Sequence, residues 1–478
     1  MKNNLSVDIV NLSQRFFDHA LNHPDQSALT LNNQTFSYSQ LAIKVTELRQ
    51  TLKSNGLKPQ MNILVMLPMS QDLVVLLLAL IAQGCVPVLI DPRLGLNRVR
   101  KALKTLNIQC IFSVNAFFRL KWIWPSLWSR QLFTFESPSW RVQKIELSKN
   151  INQIDFNLYS SQPEQSVLIT MTSGTTGEAK IIHRKFAVMK YQQFFSIKYL
   201  FPLNPDRHLA FYPISVLQSL IEGAETFYMK ETDLDHFFSF AQEKQITRLS
   251  GPPQILLKII DLMQTQKMTL PNVQHILLGG AAIPRWLVRR LKNTFPQARI
   301  QVMYGATECE PIAASWDEPY LSSENVGYCL GTLLPELEAQ WKFYGKYAQY
   351  QVSELILKGP NVVNGYFETG DLFYLDSQQQ LWFLGRSKEA VDGIPVGLIE
   401  EPLERISGVQ RVAFKKIKND YYLFLQLSDR PVDYRTAVSK HLKSWGFENV
   451  RIRILAQIPV DVRHGWKIQR HLLDKLIN

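Results

Sequence analysis

Segments with helical periodicity and segments with strand periodicity alternate along most of the chain, and this alternation restricts the fold more than any other feature. A helical pattern over residues 36–56 precedes an apolar strand at 61–68, and residues 73–90 again combine an apolar helix with a strand. Residues 243–263 predict a further helix, and strand, helix and strand follow one another over 275–305. Because such alternation places parallel strands beneath helices, the sequence predicts an α/β fold with helix-covered sheets.

Residues 73–90 carry no charge over eighteen positions, which is close to the shortest length that can span a membrane as a helix. Gln83 and Gly84 predict the end of a helix inside this stretch, and Pro87 prevents its continuation. We therefore interpret the segment as a buried helix followed by a short strand and expect no transmembrane segment. Peripheral membrane contact is the alternative.

The pattern changes after about Gly331 to shorter strands and turns, which are typical of antiparallel structure. The last hundred or so residues combine two helical segments with three strands and predict a small α+β unit. We therefore predict two domains. Residues 1–384 form a large N-terminal domain, and residues 385–478 form a small C-terminal α+β domain.

The formal net charge of the 478-residue chain is +12, but its basic residues are dispersed. Neither helix-turn-helix nor zinc-finger spacing accompanies them, so we expect no nucleic-acid binding. The four cysteines lie far apart without a Cys-x-x-Cys pair, and the N-terminal residues lack the apolar core of a secretion signal. These features predict a cytoplasmic protein with reduced thiols.

A candidate phosphate-binding segment, Thr172-Ser173-Gly174-Thr175-Thr176-Gly177-Glu178-Ala179-Lys180, follows a predicted apolar strand. Its glycines allow close approach of the backbone to a ligand, its hydroxyls and amides can donate to phosphate oxygens, and its lysine supplies positive charge. It does not fit a Walker P-loop, since Ala179 stands where the second glycine would be required. The simpler alternative is a flexible turn, and the position after a buried strand favours phosphate binding.

This segment resembles the phosphate-loop signature of the acyl-adenylate-forming superfamily, which includes acyl-CoA synthetases, luciferases and adenylation domains. Tyr304-Gly305-Ala306-Thr307-Glu308 resembles the Tyr-Gly-x-Thr-Glu motif of the same superfamily. The resemblance implies that Tyr304 lies against adenine, that Thr307 contacts the α-phosphate and that Glu308 binds Mg²⁺. A flat aromatic ring, a hydroxyl and a hard oxygen ligand suit these three roles.

Further motifs follow in the order found in the superfamily, and together they cover nearly the whole chain. Gly279-Gly280-Ala281 corresponds to the backbone that lines the adenine pocket, and Asp371 of Thr369-Gly370-Asp371 corresponds to the carboxylate that holds the ribose hydroxyls. In Gly385-Arg386-Ser387-Lys388 the resemblance implies that Arg386 reaches the ribose and that Lys388 is the hinge of a mobile lid. It likewise implies that residues 385–478 form this lid and that residues 1–384 contain the nucleotide and acyl site.

The C-terminal segment 459–470 occupies the place of the Gly-Lys motif, whose lysine contacts the substrate carboxylate and the α-phosphate. Lys467 is the candidate, because a positioned cation can neutralise the charge that develops between two anions. The sequence departs from the common pattern in that Trp466 separates Gly465 from Lys467. This tail and residues 90–103 resemble a subgroup that contains long-chain acyl-AMP ligases and β-lactone synthetases.

The resemblance implies an ATP- and Mg²⁺-dependent ligase that joins a small-molecule carboxylic acid to AMP and releases pyrophosphate. Residues 211–223 lack the histidine often found near the acyl tunnel of acyl-CoA synthetases, which favours an apolar acid, either fatty or β-hydroxy. The acceptor would be CoA, the phosphopantetheine of an acyl carrier protein or, in a β-lactone synthetase, the hydroxyl of the substrate itself. A non-catalytic nucleotide-binding protein on the same fold is the alternative from a different class.

Overall fold

The computed structural model describes residues 7–90, 95–122, 124–127, 129–137, 141–147, 151, 153–172, 180–200, 206–428, 434–461 and 465–477. The chain divides into two compact units, Met1–Lys230 and Glu231–Asn478.

The first unit consists of helices and two groups of hydrogen-bonded strands. Its helices are α1 (Gln14–Asn22), α2 (Tyr38–Ser54), α3 (Gln71–Gln83), α4 (Leu96–Thr105), α5 (Asn115–Phe118), α6 (Phe186–Leu200) and α7 (Pro213–Glu222). Its strands are β1 (Ser27–Leu31), β2 (Gln34–Ser37), β3 (Asn62–Met66), β4 (Val86–Leu89), β5 (Ile108–Ser113), β6 (Gln131–Thr134), β7 (Gln143–Lys144), β8 (Ser166–Thr172), β9 (Lys180–Lys185), β10 (Arg207–Ala210) and β11 (Glu225–Tyr228).

The strands of the first unit are mainly parallel, as the alternating pattern predicts. One sheet has the order β7-β6-β5-β3-β4-β8-β9, and its strands run parallel except for the antiparallel pair β8 and β9. In the other group β10, β11 and β1 are parallel neighbours, and β2 pairs antiparallel with β1. Helices α2, α3 and α7 contribute to one hydrophobic core of this unit.

The uncharged stretch 73–90 is a buried helix followed by a strand, as predicted. Helix α3 begins with the Ser70 hydroxyl accepting a hydrogen bond from the Leu73 N–H, and it ends at Gly84. Gly84 has a φ of +79°, and a Cβ there would approach the Tyr159 ring to 2.3 Å, so the position requires glycine. Among the residues described, we find no helix long and apolar enough to cross a bilayer.

The second unit has longer antiparallel strands. Its helices are α8 (Phe237–Glu243), α9 (Pro253–Gln266), α10 (Arg285–Thr294), α11 (Asp317–Ser322), α12 (Gly397–Glu404) and α13 (Arg435–Ser444). Its strands are β12 (Arg248–Ser250), β13 (His275–Gly279), β14 (Arg299–Ala306), β15 (Cys309–Trp316), β16 (Tyr328–Leu333), β17 (Glu338–Tyr347), β18 (Tyr350–Lys358), β19 (Phe367–Leu375), β20 (Leu381–Arg386), β21 (Val409–Ile417), β22 (Asp420–Leu427) and β23 (Val450–Ile454).

Within this unit, strands β12, β13 and β14 are parallel, and β14 begins an antiparallel series that continues through β15, β16, β20, β19, β18 and β17. The change to antiparallel structure therefore comes at β15, slightly earlier than the sequence indicates. The continuous helix predicted over residues 243–263 is wrong, since β12 interrupts it. Pro252 and Pro253 explain the interruption, because a proline disfavours the helical conformation of the residue before it but is tolerated at the start of a helix.

The C-terminal part of the second unit has hydrophobic clusters of its own. One cluster includes Val396, Val412, Leu423 and Val438 and packs α12 and α13 on the sheet of β21, β22 and β23. A second, smaller cluster lies among residues 413–477. All members of both clusters follow residue 385. A domain that begins near residue 385 stays a prediction, and these clusters are compatible with it.

Helix α12 contains three buried glutamates, Glu400, Glu401 and Glu404. Glu400 forms an ion pair with Arg470 at 2.6 Å, and Glu401 forms one with Arg285 of α10 at 3.1 Å. Removing either arginine would leave a buried charge with less compensation, which is strongly destabilising. These pairs therefore fix α12 against both the C-terminal segment and α10.

Glu404 differs from its two neighbours, because no cation that the structure describes lies within ion-pair distance of it. Its carboxyl accepts a hydrogen bond from the Tyr328 hydroxyl at 2.9 Å. Burial raises the pKa of Glu404 from 4.5 to about 8; the charges of Glu400 and Glu401 act in the same direction, and the Tyr328 bond opposes them. The folded protein therefore retains a proton on Glu404 that the unfolded chain loses at lower pH.

Because the folded-state pKa of Glu404 is the higher one, its contribution to stability is fully present below about pH 4.5 and is lost as the pH rises to about 8. Glu404→Gln keeps the size of the side chain but cannot titrate. We expect this variant to melt a few degrees above the wild type at pH 8.5 and close to it at pH 4.5. Thermal melting across this range is the measurement, with the exposed Glu448→Gln as control. A difference that does not change with pH would contradict the assignment.

Candidate functional site

The centre of the candidate site is the Asp371 carboxylate, which two residues from separate strands hold in place. The register of β19 and β20 sets Asp371 directly opposite Arg386, and the Arg386 Nε lies 3.2 Å from the Asp371 Oδ1. At the end of β14, the Tyr304 hydroxyl donates a hydrogen bond to the Asp371 Oδ2 at 2.6 Å. The structure thus brings together three residues that the sequence assigns to the nucleoside.

Asp371 is only 6% exposed, and its burial raises its pKa, while Arg386, the Tyr304 hydrogen bond and Lys467 lower it. Its backbone N–H donates to the Thr369 hydroxyl at 3.1 Å, which fixes the strand backbone around Gly370, where φ is +68°. Despite the nearby Arg386, the Oδ1 atom accepts no hydrogen bond from any residue that the structure describes. This oxygen is buried and keeps an unused hydrogen-bond acceptor beside Arg386.

The Tyr304 side chain is half-buried and has an edge-to-face contact with Phe373, with 5.6 Å between the ring centroids. Burial raises the pKa of Tyr304 well above its ordinary value, and the Asp371 charge raises it further. The phenol is therefore neutral and can donate to Asp371. The expected position of its ring against adenine stays a prediction.

Thr307 and Glu308 form the two-residue connection between β14 and β15, in which Ala306 pairs with Cys309. Both are half-buried, and the Glu308 carbonyl accepts a hydrogen bond from the Val363 N–H at 2.7 Å. This bond fixes the turn that follows Tyr304 and Gly305. The motif is therefore a strand end followed by a tight turn, which presents a hydroxyl and a carboxylate next to each other.

The structure explains why glycine stands at both glycine positions of the predicted adenine segment. Gly279 pairs with Met303 of β14, and a Cβ on Gly279 would lie 2.6 Å from the Met303 carbonyl oxygen. Gly280 has a φ of +83°, which favours glycine. Since β13 and β14 are parallel, Gly280-Ala281 and Tyr304 emerge at the same edge of the sheet, where ligands commonly bind in α/β folds.

Lys467 lies in the C-terminal segment, where its backbone N–H donates to the Asp461 Oδ1 at 3.0 Å and its carbonyl accepts from the Asp461 N–H at 2.9 Å. Its side chain keeps substantial exposure, yet the protein around the ammonium partly desolvates it and lowers its pKa, and Arg386 lowers it further. Asp371 is among the acidic groups that oppose this shift. No side chain in the described ranges forms an ion pair with the ammonium, so Lys467 can pair with an anionic ligand.

A short 3-10 turn, Ser387–Glu389, follows β20 and carries the predicted hinge residue Lys388. The Ser387 hydroxyl donates to the Gly370 carbonyl at 3.3 Å, and Glu389 accepts from Arg470 at 3.1 Å. Desolvation and the neighbouring Arg386 lower the pKa of Lys388. Arg386, Lys388 and Lys467 thus concentrate positive charge near Asp371, which suits a polyanionic ligand.

The predicted phosphate loop lies in the first unit. Thr172 ends β8, Lys180 begins β9, and the two residues pair in the antiparallel ladder. Lys180 is exposed. Ser173, Gly174, Thr175, Thr176 and Gly177 lie outside the described residues, so their predicted contacts with phosphate stay predictions.

Sequence reasoning missed the hydrogen bond between Tyr304 and Asp371, which are 67 positions apart. It also assigned no role to Arg470, which forms ion pairs with Glu389 and Glu400. The hinge motif at residues 385–388 directly precedes Glu389 and is the sequence feature that could have indicated a role for Glu389. Nothing in the pattern around Arg470 distinguishes it from an exposed arginine.

Comparison with known proteins identifies the family. The chain matches the AMP-binding enzyme family over residues 16–367. It belongs to this family. The resemblance drawn from its motifs is confirmed, and the chain is accordingly an adenylate-forming ligase that uses ATP.

Relatives in this family have different named activities. An olefin β-lactone synthetase of Stenotrophomonas maltophilia is 23% identical to the chain, and the alignment covers 97% of each protein. A 2-succinylbenzoate–CoA ligase of Oceanobacillus iheyensis is 20% identical, over 95% of this chain and 97% of the relative. Membership therefore establishes the general reaction and leaves the acid and the acceptor open.

Solved structures share the fold. The amide bond synthetase McbA of Marinactinospora thermotolerans has a TM-score of 0.83 at 16% identity, over 98% of this chain and 99% of McbA. The o-succinylbenzoate CoA synthetase MenE of Bacillus subtilis, in complex with its acyl-adenylate intermediate, has a TM-score of 0.75 at 20% identity, over 96% and 97% of the two chains. The predicted α/β class is confirmed.

Asp371→Ala tests the predicted ribose contact. Loss of a charge-assisted hydrogen bond should weaken ATP binding by on the order of 1.5 to 3 kcal/mol, which is roughly a 10- to 150-fold increase in Kd. Isothermal titration with ATP is the measurement. Glu368→Ala, an exposed acid on the same strand, is the matched control. Unchanged affinity in a folded Asp371→Ala protein would reject the ribose role.

Proposed function

We propose that this ligase activates an apolar carboxylic acid, either a fatty acid or a β-hydroxy acid, as its acyl-AMP. Transfer to the thiol of CoA or of a carrier-protein phosphopantetheine then follows. The observation that carries the proposal is the buried Asp371, held by Tyr304 and Arg386, with the electrostatic influence of Lys467 extending to the same carboxylate. This arrangement supports a single site that binds the nucleoside together with its adjacent phosphate.

In the first half-reaction a carboxylate oxygen of the acid attacks the α-phosphorus of ATP. The bond between the α-phosphorus and its bridging oxygen breaks, pyrophosphate leaves, and no proton is transferred. Two anions must approach each other, so a fixed cation lowers the barrier. Lys467 is our candidate for this cation, since its ammonium is not occupied by an ion pair within the described part of the chain.

The remaining residues take roles that suit their chemistry. Asp371 accepts hydrogen bonds from ribose hydroxyls, Arg386 orients Asp371 and reaches the ribose, and Tyr304 contacts adenine. Residues 279–281 line the base, and Gly305 leaves room beside it.

Residues 172–180, including Lys180, hold the phosphates, and Thr307 donates to the α-phosphate. Glu308 would hold Mg²⁺ through its carboxylate oxygen, and the ion would supply positive charge to the phosphates.

In the second half-reaction the acceptor attacks the acyl carbonyl, AMP leaves, and the acceptor proton passes to solvent. The two half-reactions need different groups beside the same acyl phosphate. We propose that residues 385–478 form a lid that rotates about Lys388, withdraws Lys467 after adenylation and admits the acceptor.

Two observations support an apolar acid. Helix α7 has no charged residue before Glu222, and the exposed Ile214 lies in its first turn. The relatives named as β-lactone synthetases align over almost the entire chain. We propose that the acyl chain lies near residues 211–223 and beside the strand that leads to Tyr304.

ATP–pyrophosphate exchange with a panel of acids tests this preference. We expect medium- and long-chain fatty acids and their β-hydroxy derivatives to support exchange, with short polar acids and amino acids at least tenfold poorer in kcat/KM, since each buried methylene contributes about 0.8 kcal/mol. Saturating activity with short polar acids alone would overturn the preference. No exchange with any acid would favour a non-catalytic nucleotide-binding protein.

The β-lactone synthetase reaction is a second candidate, favoured by the 97% coverage of both chains in the alignment with the Stenotrophomonas maltophilia enzyme. Here the β-hydroxyl of the substrate attacks its own acyl carbonyl, the hydroxyl proton passes to solvent, AMP leaves, and a four-membered lactone forms. Incubation of a β-hydroxy acid with ATP, with and without CoA, distinguishes the candidates. A lactone formed without CoA supports ring closure, and an acyl-CoA product supports thiol transfer.

Lys467→Ala tests the assigned cation. An oriented charge that contributes about 3 to 4 kcal/mol to the transition state would slow acyl-AMP formation by roughly a hundredfold to a thousandfold, while transfer from supplied acyl-AMP changes little. Pyrophosphate exchange and single-turnover transfer measure the two steps separately. The exposed Lys443→Ala in the same domain is the matched control. Equal loss in both steps would rule out alternation of the lid.

A further inference from the structure

Trp466, the residue that separates Gly465 from Lys467, anchors the C-terminal segment. It is 7% exposed, and its indole Nε1–H donates to the Ala282 carbonyl at 3.1 Å. Ala282 follows the proposed adenine segment 279–281 directly, and Lys467 follows Trp466 directly. One indole hydrogen bond therefore connects the backbone beside the base with the residue next to the proposed catalytic cation.

An aromatic ring and a guanidinium group also contact this indole. Trp286 lies at the start of α10, and its ring centroid is 6.0 Å from the ring centroid of Trp466. The Arg411 guanidinium lies 4.6 Å from the Trp466 ring centroid. The Trp286 Nε1–H in turn donates to the Gln410 carbonyl at 3.2 Å. Both tryptophans therefore connect residues 282–286 with segments that follow the proposed hinge.

The residue before Trp466 is suited to this close approach. Gly465 has a φ of +63°, and a Cβ there would overlap the Gln254 side chain on α9. A residue with a side chain would be strained at this φ, and the Gln254 side chain would have to move to admit it. Gly465 and Trp466 together thus bring the chain against α9 and α10 immediately before Lys467.

We propose that Trp466 is a latch that docks the C-terminal segment on residues 282–286 in the acyl-AMP-forming conformation, and that it is a positioning residue for Lys467. This inference rests on the proposed function. Lys467 needs such help, because its ammonium has no ion-pair partner in the part of the chain that the structure describes. Its location depends on backbone bonds to Asp461 and on the indole next to it.

The contacts of the latch are compatible with release. Across the proposed hinge they comprise one hydrogen bond to a carbonyl and one tilted ring contact, whereas the cation–π contact with Arg411 and the buried ion pair of Arg470 with Glu400 lie entirely beyond residue 385. A lid that rotates about Lys388 keeps both of these and gives up the indole hydrogen bond and the ring contact, together with the Arg285–Glu401 ion pair. The latch therefore favours the first half-reaction without preventing the second.

Trp466→Ala and Trp466→Phe test the latch, with Trp445→Ala, a partly buried lid tryptophan elsewhere, as control. We expect Trp466→Ala to lower the kcat of pyrophosphate exchange roughly 10- to 100-fold, and Trp466→Phe, which keeps an aromatic ring but loses the donor, roughly 3- to 10-fold. Single-turnover transfer from supplied acyl-AMP should stay within about threefold. Trp445→Ala should lower the melting temperature without separating the two steps.

A double-mutant cycle with Trp286→Ala examines the partner. If the indole acts through Trp286, the double variant should lose less exchange activity than the product of the two single losses. Independent losses would overturn the latch, as would unchanged exchange in Trp466→Ala or equal loss of both half-reactions in Trp466→Phe. Failure of the proposed function is distinct, since the wild type itself would then show no exchange with any acid.

Discussion

A buried carboxylate must have its charge compensated, and at Asp371 this requirement brings the candidate site together. Arg386 supplies an ion pair through the register of two adjacent strands, and Tyr304 supplies a hydrogen bond from the end of a third strand. With these partners in place, one buried carboxylate oxygen still accepts no hydrogen bond from the described residues. Burial also keeps the Tyr304 phenol neutral. The positive charge of Lys467 lowers the pKa of Asp371. The proposed nucleoside site and the proposed catalytic cation are thus electrostatically coupled.

The buried glutamates of α12 pose the same problem for the proposed lid. Glu401 pairs with Arg285 of α10, but it also pairs at 2.8 Å with Arg405, the residue directly after α12. Arg285 in turn donates to the Tyr320 carbonyl at 2.7 Å. If residues 385–478 rotate, each member of the Arg285–Glu401 pair therefore keeps a polar partner on its own side. This arrangement reduces the cost of separating a buried ion pair, which would otherwise oppose rotation.

Much of the fold follows from local sequence. Periodicity and turn residues predict α3 and β4 within residues 73–90, and Gly84 ends the helix because its conformation is left-handed. The helix predicted over residues 243–263 fails because tertiary pairing with β13 makes residues 248–250 a strand, and Pro252 and Pro253 separate that strand from α9. Local apolar periodicity does not distinguish a short buried strand from helix, so such an error is expected.

The sequence by itself determined the chemical groups of the site and their order, because the motifs are short and each belongs to one strand end or turn. It thereby determined the family and the class of reaction. Only the tertiary structure decided that Tyr304 binds Asp371, that Glu404 retains a proton, and that Trp466 contacts Ala282 next to Lys467. These features depend on distances between residues far apart in the chain and on the exclusion of water around them. Burial changes the pKa of a group and the strength of its contacts, and burial is a property of the folded chain alone.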